Sequence, residues 1–251
     1  MQSVFAMVQN KIAILSTNEI GDALIRDAAL KNISVDVLPF IRTESISSVK
    51  VQQEIGQAFT LSATVVFTST TAVEAVAAVV EGLKPGWKIF CIGHATRQSV
   101  ENYFGKNLIA GMADNAKELA EVIVTANADH VIFFCGDQRR NELPDLLKKN
   151  NIEVNEIIVY QTIATPQTIE RKYDGILFFS PSAVKSFFQN NQLDEQTVLF
   201  AIGNTTANEI KNYLPDGKAG SKNKIIVASE PAREIVLDEV IHYFQTNSIH
   251  H

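Results

Sequence analysis

Leu177–Ile210 reads LFFSPSAVKSFFQNNQLDEQTVLFAIGNTTANEI, and this stretch decides the fold. It holds two strand–loop–helix units in succession. A short apolar run ends each strand in small polar residues. Ile176–Phe179 runs into Ser180-Pro181-Ser182, and Val198–Ile202 runs into Gly203-Asn204-Thr205-Thr206. Helical patterns follow, from near Ala183 and near Ala207. The stretch has an echo. Phe67-Thr68-Ser69-Thr70-Thr71-Ala72-Val73 matches Phe178–Val184 at an offset of 111, and Cys91–Thr96 matches Ala201–Thr206 at an offset of 110. Two separate motifs at nearly one spacing predict an internal duplication into two similar α/β domains.

The rest of the chain alternates in the same way. Apolar runs predict strands at Lys11–Leu15, Val35–Leu38, Thr64–Phe67, Lys88–Ile92, Leu108–Ile109, Val131–Cys135 and Ile225–Ala228. Helical periodicity predicts helices at Ile20–Leu30, Val51–Phe59, Ala72–Val80, Thr96–Tyr103, Ala116–Thr125, Arg140–Lys149, Thr206–Tyr213 and Ala232–Phe244. On the first of these, Ile20, Ala23, Leu24 and Ala28 share one face. Two extended segments, Phe40–Ile46 and Ile152–Thr162, have no helix between strand patterns and read as crossing segments. Strands alternating with helices imply parallel sheets covered on both faces, in a flavodoxin-like arrangement. Such sheets bind ligands beyond the carboxyl ends of their strands. Small polar residues stand at those ends: Ser16-Thr17, Thr68-Ser69, Gly93-His94, Gly136-Asp137, Ser180, Gly203-Asn204 and Ser229-Glu230. Helix starts and backbone N–H groups there suit anions.

The bulk numbers narrow the classes of function. The chain has 251 residues, enough for two ordinary domains. A formal net charge of −6 argues against nucleic acid as the main partner, because the phosphate contribution needs clustered Lys and Arg. No apolar run approaches a membrane span, and MQSVFAMVQNK lacks the basic start of a signal peptide. Cys91 and Cys135 each close an apolar run and read as buried reduced thiols. A cytoplasmic protein that binds no membrane is expected. His250-His251 is either native or the stub of a tag.

Familiar catalytic signatures are missing. There is no G-x-G-x-x-G, G-x-x-x-x-G-K-[ST], H-E-x-x-H, paired C-x-x-C or G-x-S-x-G. No metal and no cofactor is expected. His94 reads either as a loop cap or as a proton donor, and its counterpart in the repeat is Asn204. Arg139-Arg140 reads as a solvated helix start or as a carboxylate clamp. Ser69-Thr70-Thr71 and Thr205-Thr206 read as helix N-caps that leave ligand binding open. Tyr160 lies in the extended run Ile157–Thr162, with packing and chemistry both open to it.

The motifs, taken in order, resemble the uroporphyrinogen-III synthase family. They are Phe67-Thr68-Ser69 with Ala72–Ala75, Ile92-Gly93-x-x-Thr96, Gly136-x-x-Arg139-Arg140, Val159–Thr162, Phe178–Ser182 and Ala201-Ile202-Gly203-x-Thr205-Thr206. The resemblance covers nearly the whole chain. It departs from the family at Ser16-Thr17-Asn18 and at Thr70-Thr71, where prolines or basic residues are common. It implies one domain from residues 1–38 with 166–251, a second from 44–157, linker strands at 39–43 and 158–165, and a cleft between the domains. It also implies cyclisation of hydroxymethylbilane, a linear tetrapyrrole, to uroporphyrinogen III with loss of water and inversion of ring D. That reaction uses no metal or cofactor.

On this resemblance Tyr160 is the expected catalytic acid. The expected substrate-binding residues are Thr68, Ser69, Thr70, Gly93, His94, Thr96, Gly136, Arg139, Arg140, Ser180, Ser182, Gly203, Thr205 and Thr206. A monomer is expected, with hand-over of substrate from the enzyme that makes it left open. The alternatives are a non-catalytic two-lobed small-ligand binding protein and a different cofactor-free isomerase on the same scaffold.

Overall fold

A computed structural model describes residues 11–214, 222–230 and 232–247. The N-terminal stretch Met1–Asn10 and the pair His250-His251 lie outside the described residues. The chain opens with β1 (Ile12–Ser16), α1 (Asp22–Leu30), β2 (Ile33–Val37) and β3 (Ile41–Ser45). It continues with α2 (Val49–Phe59), β4 (Thr64–Phe67), α3 (Thr70–Val80), β5 (Lys88–Ile92) and α4 (His94–Tyr103). A 3₁₀ turn at Lys106–Leu108 leads to β6 (Ile109–Ala113), α5 (Ala116–Thr125), β7 (His130–Gly136), α6 (Glu142–Lys149) and the long β8 (Glu153–Ala164). The last stretch carries β9 (Gly175–Phe178), α7 (Pro181–Asn190), β10 (Val198–Ala201), α8 (Asn204–Lys211), β11 (Ile225–Val227) and α9 (Arg233–Asn247).

Two compact units result, with their boundaries at Arg42/Thr43 and at Ile163/Ala164. The chain thus leaves the first unit within β3 and returns to it within β8. The first unit holds a five-stranded sheet in the order β11-β10-β9-β1-β2, parallel throughout. The second holds a six-stranded sheet in the order β3-β8-β7-β4-β5-β6, parallel from β8 to β6.

The repeat seen in the sequence is a repeat in space. In the first unit β1, β9 and β10 are consecutive neighbours; in the second, β7, β4 and β5 are. Strand alternation feeds two cores in each unit. Val65 and Phe67 of β4 face a core with α2, α3 and α4, while Val66 faces one with α5 and α6. Ile176 and Phe178 of β9 face α7 and α8, while Leu177 faces the core built by α1 and α9. Phe67 and Phe178, equivalent in the repeat, are fully buried and each packs a second phenylalanine ring: Phe134 at 5.5 Å and Phe187 at 5.4 Å between centroids. Truncating either to alanine removes a side chain of the kind that costs about 3–5 kcal/mol in a packed core.

Several boundaries differ from the sequence expectations for physical reasons. α3, α4 and α8 start two residues earlier than the apolar pattern, at Thr70, His94 and Asn204. A first helical turn needs no apolar face, so periodicity alone misses it. The strand expected at Leu108–Ile109 begins only at Ile109 and runs through Ala110-Gly111 to Ala113. Gly111 leaves room there, since a β-carbon on it would sit 2.7 Å from Val122 Cγ1. Ala23 is exposed, so the buried side of α1 is narrower than expected. Arg139-Arg140 does not open a helix, because α6 begins at Glu142.

Candidate functional site

A crevice opens at the carboxyl end of an open parallel sheet where neighbouring strands send their connections to opposite sides. In the first unit this happens between β1, which leads to β2, and β9, which leads to β10 and β11. In the second it happens between β7, which leads to β8, and β4, which leads to β5 and β6. The loops beyond these four strands carry Ser16–Asn18, Phe179-Ser180, Gly136–Arg139 and Thr68-Ser69. The loops after β5 and β10, with Gly93 and Gly203, flank them.

Beside β1 the polar side chains are committed to holding the crevice in shape. Thr17 is buried, and its Oγ1 and backbone N–H both donate to the carbonyl of Leu177, at 2.7 and 3.1 Å. Ser16 is also buried, and its hydroxyl donates to the carbonyl of Asn18 at 2.6 Å. Within Ser16-Thr17-Asn18, where the chain departs from the family pattern, Thr17 is thus the side chain that ties β1 to β9.

The helix starts fall into two kinds, and each kind recurs in both units. Ser69 and Ser180 are N-caps of α3 and α7. Each accepts from the backbone N–H three residues on, Ala72 and Ala183, at 3.1 Å. α4 and α8 follow Gly93 and Gly203, and no side chain caps either of them. Gly93 adopts φ 79°, ψ 158°, a conformation that disfavours side chains. The first-turn N–H groups behind these glycines carry the positive end of a helix dipole, which suits a carboxylate.

The remaining expected residues separate by burial. Thr96 and Thr206 each stand at the third position of an uncapped helix, and they are only 5% and 2% exposed. Their side chains turn inward. His94 and Thr205 are exposed, while Thr68, Thr70 and Ser182 are half-buried at the starts of capped helices.

The most constrained part of the site is the loop after β7. A register shift pairs Cys135 with Ile158 but Gly136 with Tyr160, so Val159 is an extra residue on β8. Such a bulge re-aims the side chain beyond it. Ile157 and Val159 face the same core, and Tyr160 packs against that core as well. The Tyr160 ring lies so close to Gly136 that a β-carbon there would be 2.3 Å from Tyr160 Cζ and 2.7 Å from its hydroxyl oxygen. Asp137 N–H donates to the Tyr160 carbonyl at 3.1 Å, and Thr162 N–H donates to Asp137 Oδ1 at 2.9 Å.

Arg139 is not a free clamp. Its guanidinium is paired with Glu156 and bonds Asn141, and Lys148 approaches Glu156 at 3.6 Å. Arg140 is exposed. Thr162 and Glu156 are not among the expected site residues, and Asp137 enters the sequence expectations only as a strand-end residue beside Gly136. The only signal was the acid directly after Gly136, since partners 17 and 25 positions apart leave no local pattern.

Comparison with known proteins bears on this geometry. A family model described as uroporphyrinogen-III synthase HemD matches residues 22–215. The chain belongs to the uroporphyrinogen-III synthase family. The synthase fold extends beyond the matched stretch. A uroporphyrinogen-III synthetase from Helicobacter pylori superposes with a TM-score of 0.62 at 16% identity, covering 92% of this chain and 99% of that one. A mutant uroporphyrinogen III synthase from the extremely thermophilic bacterium Thermus thermophilus superposes with a TM-score of 0.59 at 12% identity, covering 94% and 99%. At such identities the likeness is one of fold. Among the described residues no helix is long and apolar enough to cross a membrane, and no group of three or more His, Cys, Asp or Glu could hold a metal ion.

Proposed function

We propose that this chain cyclises hydroxymethylbilane to uroporphyrinogen III, inverting ring D and releasing water, as a step of haem biosynthesis. The family match over residues 22–215 carries this reading. The two switch-point crevices and their paired helix starts make it chemically concrete.

The substrate is flexible and carries eight carboxylates, while the protein has a formal net charge of −6. Binding therefore has to be local. The uncapped starts of α4 and α8 supply backbone donors behind Gly93 and Gly203. Exposed His94, Thr205 and Arg140 add side-chain donors, as do the hydroxyls of Thr68, Ser69, Thr70, Ser180 and Ser182. Thr96 and Thr206 are too buried to add to these donors.

Chemistry begins with loss of the hydroxyl from the pyrrole-CH₂OH end. The pyrrole nitrogen pushes the C–O bond apart, so a weak acid suffices. In this proposal the Tyr160 phenol gives its proton to the leaving oxygen, and water departs. The substituted α-carbon of ring D then bonds the freed methylene carbon, giving a spiro intermediate. Its older bond to the neighbouring methylene breaks and re-forms at the other α-carbon of ring D. That carbon loses a proton, which restores the phenol. Holding the two ends of the chain together supplies the effective concentration that the first bond needs.

The test is incubation with freshly generated hydroxymethylbilane, oxidation of the product and separation of the uroporphyrin isomers. Isomer III is expected. Isomer I alone, at the spontaneous rate, would contradict the proposal.

A further inference from the structure

We infer that Arg139 and Glu156 are positioning residues for the Tyr160 phenol, gripping the loop on which its ring rests, and that neither binds substrate. The inference rests on the functional reading above and adds to it how the acid is aimed.

The loop from Gly136 to Asn141 is fastened to β8 at four places. Gly136 lies under the Tyr160 ring. Asp137 N–H donates to the Tyr160 carbonyl at 3.1 Å, and Asp137 Oδ1 accepts from Thr162 N–H at 2.9 Å. Farther along, Arg139 presents Nε and Nη2 to one carboxylate oxygen of Glu156. Side chains alternate along a strand, so Glu156 and its inward-facing neighbour Ile157 point to opposite faces. The bulge at Val159 then brings Tyr160 to the Ile157 face. The loop is thus held from both sides of β8: by the ion pair on one and by the phenol ring on the other.

Both side chains of the pair are largely withdrawn from water, at 25% and 19% exposure. The same guanidinium bonds Asn141, the residue just before α6. A cation already fixed to a carboxylate and an amide has few donors left for a substrate carboxylate. Its geometry suits a brace. Gly136 has no side chain with which to hold the ring, so the ring's resting place depends on where the loop is pinned.

The two roles for Arg139 predict opposite results. If Arg139 bound substrate, Arg139→Gln would raise KM, and Glu156→Gln would release the guanidinium and lower it. If the pair positions Tyr160, both variants lower kcat with KM within about twofold. A displacement of about 1 Å at a reacting group costs up to about 10²-fold, so a loss of between about 10- and 100-fold is expected. The double variant should lose no more than the worse single one. The sharper readout is the Tyr160→Phe background. Once the phenol is absent, Glu156→Gln should cause no further loss of kcat.

The experiment is steady-state kinetics of all five proteins and the wild type with hydroxymethylbilane, each checked for a native near-ultraviolet dichroism spectrum. Should Glu156→Gln fail to fold, Arg139→Lys is read in the same way, because it keeps the charge but loses the two-nitrogen grip. Multiplicative losses in the Tyr160→Phe background would overturn the inference. So would a KM effect confined to Arg139 variants, or wild-type kcat in folded variants of either residue. A wild type that makes only isomer I would overturn the functional reading itself, before any variant is compared.

Discussion

Gly136 and Tyr160 occupy each other's space: the tyrosine ring fills the place where a side chain at 136 would begin, with Tyr160 Cζ 2.3 Å from an ideal β-carbon. Only glycine permits this contact. The bulge at Val159 and the bond from Asp137 N–H to the Tyr160 carbonyl hold the ring there.

Gly136→Ala should therefore displace the ring or the loop. Overpacking of this kind costs about 1–3 kcal/mol of stability. Turnover should fall further than stability does, and the share of isomer I should rise. Wild-type turnover and isomer ratio in Gly136→Ala would show that the position of the ring does not matter.

Tyr160→Phe keeps the ring and removes only the hydroxyl, the proposed acid. One general acid contributes about 10²–10⁴-fold, and the low end applies here because the leaving hydroxyl is already labile. Turnover should drop by about 10²-fold with Tm unchanged, and the enzymatic product should remain isomer III. Full activity at an unchanged Tm would reduce Tyr160 to a packing residue.

The two kinds of helix start should separate in their effects. Ser69→Ala and Ser180→Ala each remove an N-cap and should cost about 1 kcal/mol in urea denaturation. Thr205 is exposed and caps nothing, so Thr205→Ala should leave stability within about 0.5 kcal/mol and raise KM. A stability loss at Thr205 equal to that at Ser180 would contradict the division.

Burial, with help from the Glu156 charge and against the pull of Arg139, pushes the Cys135 thiol up to about 11 from an ordinary 9.0. An unfolded chain releases this proton at lower pH than the folded one. The thiol's contribution to stability is thus complete below about 9 and is lost as pH rises from about 9 to about 11. Urea denaturation across that range should show the decline, and a Cys135→Ala variant should show less of it. Cys91 is raised too, chiefly by burial, and gives the same sign. Iodoacetamide should leave both thiols of the native protein intact at pH 8. Alkylation of either without unfolding would contradict their burial.

Much of this was legible from local pattern. Thr64–Phe67, Lys88–Ile92 and Ala116–Thr125 match the expected bounds, because Thr68, Gly93 and Asn115 each break a clear apolar period at one end. The duplication was legible because Ser69/Ser180 and Gly93/Gly203 serve the same backbone purpose in both copies. Pairing across the sheet was not. Arg139 reads as a free cation until β8 brings Glu156 beside it. The aim of Tyr160 depends on one extra residue in a strand, which shifts the facing of every residue beyond it without changing composition. The family resemblance makes Thr96 and Thr206 substrate-binding residues, yet each is buried at the third position of its helix.

Inversion of ring D is the central claim, and carbon connectivity tests it most directly. Hydroxymethylbilane would be labelled with ¹³C at its hydroxymethyl carbon and at the unsubstituted α-carbon of ring D, and the product read by ¹³C NMR. If the spiro route operates, the hydroxymethyl carbon ends on the substituted α-carbon of ring D, so the two labels share no bond. The predicted spectrum shows no one-bond carbon–carbon coupling between them. A product formed at the enzymatic rate with that coupling present would mean simple head-to-tail closure, and would contradict inversion.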